Sequence, residues 1–259
     1  MINAFIAVLL VTPMFGLLST MVVSNRMAFF SDSLGHGAFT GIAVGVLFGS
    51  KSPLFSLIIF SVIFALLITY IKNKSRTGAD TVISVFSSTA IALGLMILSS
   101  GGSFNKFSAY LIGDLLSINQ SDLMLLAVIL ICVIAIWAFL FNDLLVLSIN
   151  QSFARSRGIA AFKIESIFAA LLAVVVSISI QWVGILIINS MLVLPAAAAR
   201  NLSNDVKHYH ITSVLLALIS GISGLIIAYE CNTAAGAAIV LVSAVIYFAT
   251  LILRSRFLK

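Results

Sequence analysis

Charge is what this chain has least of. Its 259 residues hold 14 Lys and Arg and 8 Asp and Glu, 8% in all, against about 25% in soluble domains, which excludes an ordinary water-soluble globule. Cysteine is almost missing. Cys132 and Cys231 lie in or beside apolar runs far apart in sequence, so neither a disulfide framework nor a thiolate metal site is indicated, and both are expected to be packing residues. Only 3 prolines and 3 histidines occur. No His-Glu-x-x-His segment is among them, which removes an intramembrane metalloprotease for want of its ligands and general base.

What is present is apolar surface: 62% hydrophobic residues and a mean hydropathy of +1.24. That composition predicts an all-α, polytopic membrane bundle, with residues 1–259 forming a single transmembrane domain. Nothing resembles a soluble domain of about 100 residues, so the chain is read as no enzyme, and any ATP-hydrolysing or ligand-capturing domain is expected on another chain. Residues 2–24 have no preceding Lys or Arg and no small-residue cleavage site, and read as an uncleaved first span. Spans are expected near 3–24, 30–50, 54–71, 80–100, 122–141, 164–180, 183–199, 209–229 and 232–253, about eight or nine helices. The stretch 101–121, with Gly101 and Gly102, could hide a re-entrant piece.

Against this background Asp32 and His36 stand out. They lie four residues apart in Ser31-Asp-Ser-Leu-Gly-His-Gly37, at the start of the second span, and an acid and an imidazole are costly at membrane depth. On a helix, that spacing puts both on one face, where a hard oxygen and a borderline nitrogen can serve one divalent cation. The bland alternative makes Asp32 a helix cap and His36 a satisfied interior histidine. Glycines at 37, 41, 45 and 49 form a small-residue face for close helix packing, beside the Asp32 and His36 face. Glu230, at the end of a span, and Asp114, in Tyr110–Leu116, are weaker metal candidates. Asp80 reads as the cap of the fourth span. His208 and His210 read as interfacial anchors ahead of a metal pair. In the polar loop after residue 141, a short helix is expected, capped by Ser148 or Asn150 and stopped by Gly158.

Asn25–Gly37, Ala109–Leu116, Ala154-Arg-Ser-Arg-Gly158 and Val183–Arg200, the last with its Leu-Pro-Ala-Ala-Ala-Ala-Arg end, resemble the permease subunits of zinc- and manganese-importing ABC transporters. They stand in family order and cover nearly the whole chain. The resemblance implies a fold similar to the cobalamin and siderophore (type II) permeases, in a homodimer around one central pathway. It implies two cytoplasmic ABC ATPase subunits that carry the ATP, and an extracytoplasmic metal-binding protein. Asp32 and His36 then correspond to pathway ligands of the transported zinc or manganese ion, and Gln151, Ala154, Arg155 and Gly158 to the loop that couples to the ATPase. One departure is Ser87 and Ser88 in the fourth span, where zinc-type members often carry histidine. The rival readings are an ion-coupled secondary metal transporter, which would show inverted repeats, and a permease for a metal chelate or vitamin, which has no need of a carboxylate and imidazole pair.

The sparse positive charges set an orientation. With the N-terminus outside, 12 of the 14 Lys and Arg fall in cytoplasmic loops or at the cytoplasmic C-terminus, and only Lys51 and Lys106 fall outside. The net charge of +6 therefore needs lipid and water, not nucleic acid, as its partners, and the location that the family resemblance implies is the cell membrane of a prokaryote. A cysteine introduced by Ser156→Cys, in a background lacking Cys132 and Cys231, is expected to resist a membrane-impermeant thiol reagent in intact cells and to react after permeabilisation. Labelling in intact cells would reverse the orientation.

Overall fold

Apolar side chains dominate runs of 20 residues and more that hold no charge, and in lipid such runs must satisfy their own backbone groups, which selects helices. The computed structural model describes residues 2–49, 54–100 and 113–257, and every regular element among them is helical. These are α1 (Ile2–Ser24), α2 (Ala28–Leu47), α3 (Leu54–Lys74), α4 (Ala79–Ser100), a 3-10 turn (Leu115–Ser117), α5 (Gln120–Ile149), α6 (Gln151–Ser156), α7 (Ala161–Val183), α8 (Ile185–Met191), α9 (Leu194–Leu202), α10 (Val206–Glu230) and α11 (Ala235–Phe257). Seven of them are long and apolar enough to cross a membrane. α2, with 20 residues, and the broken pair of α8 and α9 lie between those seven in chain order. Lys51, Lys106, Lys259 and residues 101–112 of the suspected re-entrant stretch lie outside the described residues.

Two expected spans, one expected cap and the expected place of both cysteines are corrected. The passage at 183–199 is not one helix: Gly184 has φ 82 and ψ 155, a region open essentially to glycine alone, and the chain breaks again at Leu192 and Val193 before Pro195, which has no N–H to give the Met191 carbonyl. α5 runs 30 residues, from a capping box of Asn119 and Asp122 to Ile149, so the segment after 141 continues the helix for about 12 Å. Asp80 is the second residue of α4, not its cap, and there it favours the helix dipole. Cys132 and Cys231 are exposed, not packed inside.

Hydrogen-bonded turns and shared clefts sort the helix ends into two groups. α1 closes in a turn where Met27 N–H reaches the Val22 carbonyl (2.8 Å) and Arg26 N–H the Val23 carbonyl (3.2 Å), a Schellman motif with Arg26 at φ 56 in the place usually held by glycine. Arg26, Lys72, Asp80, Asn150, Arg155 and Glu165 line one cleft of about 640 Å³. Tyr209 donates to the Thr20 carbonyl (3.5 Å) and Arg254 to Asn201 (3.3 Å), which brings the start of α10 to the end of α1, and the end of α11 to that of α9. At the opposite end, Asp114 and Trp182 meet the turn at Thr233–Gly236. The described Lys and Arg residues thus gather at one end of the bundle.

α1 and α7 are the central helices, with 67% and 72% of their most apolar stretches buried, against 28% for α4, α5 and α11. α2 owes its place to small residues on three sides. A Cβ on Gly37 would lie 2.7 Å from the Phe64 ring and one on Gly41 3.0 Å from Leu57 Cα, so that face lies on α3; Thr40 sits on Gly94 of α4 and donates to the Ala90 carbonyl. A Cβ on Gly35 would meet Ile185 and Asn189 of α8. The α1 and α10 seam is built alike: Ser213 Oγ donates to the Gly16 carbonyl (2.7 Å) and lies 3.0 Å from Ser19 Oγ. Because backbone cannot yield at Leu57, Gly41→Val is expected to cost about 1–3 kcal/mol, read as a lower Tm of the detergent-purified protein. Gly78→Ala, whose new methyl meets nothing nearer than 4.0 Å, should leave Tm unchanged. An unaltered Tm for Gly41→Val would break the α2 and α3 contact described.

Candidate functional site

Asp32 is the fifth residue of α2, whose N-cap is Met27 with no side-chain cap bond. The cap alternative for Asp32 therefore falls. Instead Asp32 Oδ2 faces His36 Nε2 at 3.7 Å, too long for a hydrogen bond yet a separation that one ion can bridge with bonds of about 2.1 Å. The other carboxylate oxygen is engaged: Asn189 Nδ2 donates to Asp32 Oδ1 at 2.5 Å. Asn189 sits on α8, brought close because Gly35 has no side chain to hold it off. Its own Oδ1 is buried without a hydrogen-bond partner. One amide thus fixes the carboxylate rotamer and leaves Oδ2 and His36 Nε2 for a third party.

Asp32 and Asn189 open on a cleft of about 340 Å³ that Ala28, Phe29, Val193 and Leu194 also line. In the single chain the Asp32 side chain is 50% exposed and that of His36 39%. Asn189 was not singled out from sequence, although one amide inside Gly184-Ile-Leu-Ile-Ile-Asn is a signal of the same kind as Asp32. Neither weaker metal candidate joins the pair. Glu230 is the exposed last residue of α10. Asp114 serves the 3-10 turn at the far end, its Oδ1 accepting from Ser117 N–H at 3.3 Å and its carbonyl from Ser117 Oγ at 2.9 Å. No three His, Cys, Asp or Glu side chains come together at metal-binding distance among the described residues.

At the basic end lies the short helix α6. Asn150, one of the two expected caps, accepts from Phe153 N–H at 3.0 Å. Gly158, at φ 79, closes the helix through Ile159 N–H to the Ala154 carbonyl (3.1 Å), a left-handed position that suits glycine. Ala154 is fully buried against Leu147 and Ala161, so it anchors α6 to its own bundle. Phe153, Arg155 and Arg157 are exposed, with the Arg157 guanidinium 4.8 Å from the Phe153 ring centre. Gln151 reaches Glu165 at 3.4 Å.

The two histidines of α10 part company. His208 pairs with the N-cap Asp205, whose carboxyl is held below its usual range by the His208 N–H and then by the imidazole. His210 is buried, not an interfacial anchor, with its ring 5.4 Å from Trp137 and 5.2 Å from Phe141, centre to centre.

Known proteins resemble the chain over nearly all its length. It is 29% identical over 240 residues to the high-affinity zinc uptake system membrane protein ZnuB of Haemophilus influenzae, covering 92% of each chain. It is also 29% identical over 233 residues to the manganese transport system membrane protein MntC of Listeria monocytogenes, covering 90% of this chain and 83% of the relative. The solved structure of PsaBC from Streptococcus pneumoniae in complex with a Fab superposes with a TM-score of 0.86 at 27% identity, covering 99% of this chain and 93% of that one. The pattern of one family matches residues 1–254, which takes in α2 with Asp32 and His36, α8 with Asn189, and α6: the chain belongs to the ABC 3 transport family.

Proposed function

We propose that this protein is the membrane permease of an ATP-driven importer that brings a divalent transition metal into the cytoplasm, zinc first and manganese second. The observation that carries the reading is the Asp32 and His36 pair, 3.7 Å apart, with its carboxylate steered by Asn189. A carboxylate oxygen with an imidazole nitrogen suits zinc and serves manganese. The relatives in Haemophilus influenzae and Listeria monocytogenes, one a zinc and one a manganese system, support the same pair of metals.

One chain supplies half a pathway. Two ionisable side chains that are 50% and 39% exposed cannot rest against lipid at membrane depth without large cost, so a second copy covers the α2 and α8 face and the ion passes between the two. A binding protein outside delivers the ion, and two ATPase subunits inside receive the exposed face of α6. Alternating access follows: Asp32 and His36 hold the ion briefly, and ATPase closure opens the cavity inward. Two ligands per chain bind weakly enough for release. Such a machine needs the docking helix that a secondary transporter lacks, and a chelate carrier has no use for a bare ligand pair.

Asp32→Asn and His36→Ala are each expected to abolish zinc-dependent growth in zinc-depleted medium while the protein still inserts, because each removes a ligand without adding charge to the membrane. Asn189→Leu, which frees the carboxylate rotamer, should weaken uptake by about 10- to 100-fold. Normal growth with either ligand variant would defeat the metal site.

A further inference from the structure

We infer that Glu165, on α7, is the positioning residue that ties movement of α6 to the metal-bearing helix α2, an inference that rests on the permease reading above. Among the described residues, the ion pairs within 4.0 Å are His36 with Asp32, His208 with Asp205, and Lys72 with Glu165. Only the last joins two different helices. Lys72 Nζ lies 2.9 Å from Glu165 Oε2, with the side chains 21% and 14% exposed, so water screens this pair less than an ordinary surface pair. Asn73 Nδ2 donates to Glu165 Oε2 at 3.1 Å, and Gln151 Nε2 lies 3.4 Å from Oε1. One carboxylate therefore gathers the last turn of α3 and the first residue of α6 onto the start of α7.

The consequence runs along α3. At its basic end α3 is held by Glu165; farther along, Phe64 and Leu57 press on Gly37 and Gly41 of α2, with no room for a Cβ between them. Gly37 directly follows His36. A push on α6 displaces the carboxylate, the carboxylate carries the end of α3, and α3 has no slack against the helix that bears Asp32 and His36. Ala154 and its small apolar cluster join α6 to α5 and α7 but make no link to α3. Glu165 is thus the polar link between the ATPase-facing helix and the helix that grips α2.

The test uses the permease assembled with its ATPase and binding protein in liposomes, scoring zinc ions imported per ATP hydrolysed. Glu165→Ala is expected to lower that ratio by about tenfold while ATP hydrolysis continues. Glu165→Gln, which keeps the amide contacts and loses the ion pair, should fall between. The swap Lys72→Glu with Glu165→Lys should recover most of the ratio, since Asn73 and Gln151 can turn their amides to offer oxygen to a lysine. A role in folding alone would lower assembly, uptake and hydrolysis together, leave the ratio unchanged in Glu165→Gln, and overturn the inference. An unchanged ratio in Glu165→Ala, or a swap no better than either single variant, would also overturn it while leaving the permease reading intact. If the unsubstituted complex imports no zinc on ATP, both fall.

Discussion

Placing a carboxylate and an imidazole on a helix that must live in a bilayer is the constraint on which the rest of this molecule turns. Neither group can face lipid cheaply, so α2 has to be enclosed. The enclosure is made by subtraction: Gly37 and Gly41 let α3 in, Thr40 meets Gly94 of α4, and Gly35 admits α8. In membranes, close packing of small residues replaces the hydrophobic drive that holds soluble helices together. The glycines that place α2 are therefore as much a part of the site as Asp32 and His36. The face left over, where Phe29 and Leu194 border Asp32, is the one that α3, α4 and α8 leave open.

Polar chemistry is otherwise swept to the ends. Glu165, Lys72, Asn73 and Gln151 form one cluster at the basic end, and Asp114 with Ser117 marks the other. Between them the buried polar groups are chiefly hydroxyls that return their hydrogen to their own helix, as Thr12 does to Val8 and Thr69 to Ala65. Such bonds satisfy the hydroxyl without linking helices. Cross-helix polar contacts such as Asn189 to Asp32 are few and each fixes a register.

Much of this was legible in the sequence because hydropathy and charge are local. Most of the spans, the gathering of basic residues, the packing at Gly37 and Gly41 and the Asn150 cap follow from residues within a few positions of one another, whereas Gly49 lies past the end of α2 with nothing against it. The span expected at 183–199 reads as one helix, since apolar periodicity continues through Leu192 and Val193 and the lost Met191 partner shows only when Pro195 is considered as a missing donor. Asn189 was passed over because its partner is 157 residues away. Glu165 carries no local mark in the sequence, because its partners Lys72 and Asn73 come from another helix. Ala154 lay in the expected docking loop, and only its packing on Leu147 and Ala161 shows that it points inward.

The Asn189 bond also decides how much of Asp32 an ion can see. With Oδ1 committed to the amide, the carboxylate offers a single oxygen, and beside it stands a nitrogen. Calcium gathers six to eight oxygens and readily takes both from one carboxylate, and magnesium gives up its water shell reluctantly. Both are abundant, and both are offered too little here to leave water. Ions that accept few ligands and welcome imidazole lose less by entering. On the proposed reading of Asp32 and His36 as ligands, discrimination against the common cations comes from withholding an oxygen instead of from adding a contact, and a single amide on a seven-residue helix does the withholding.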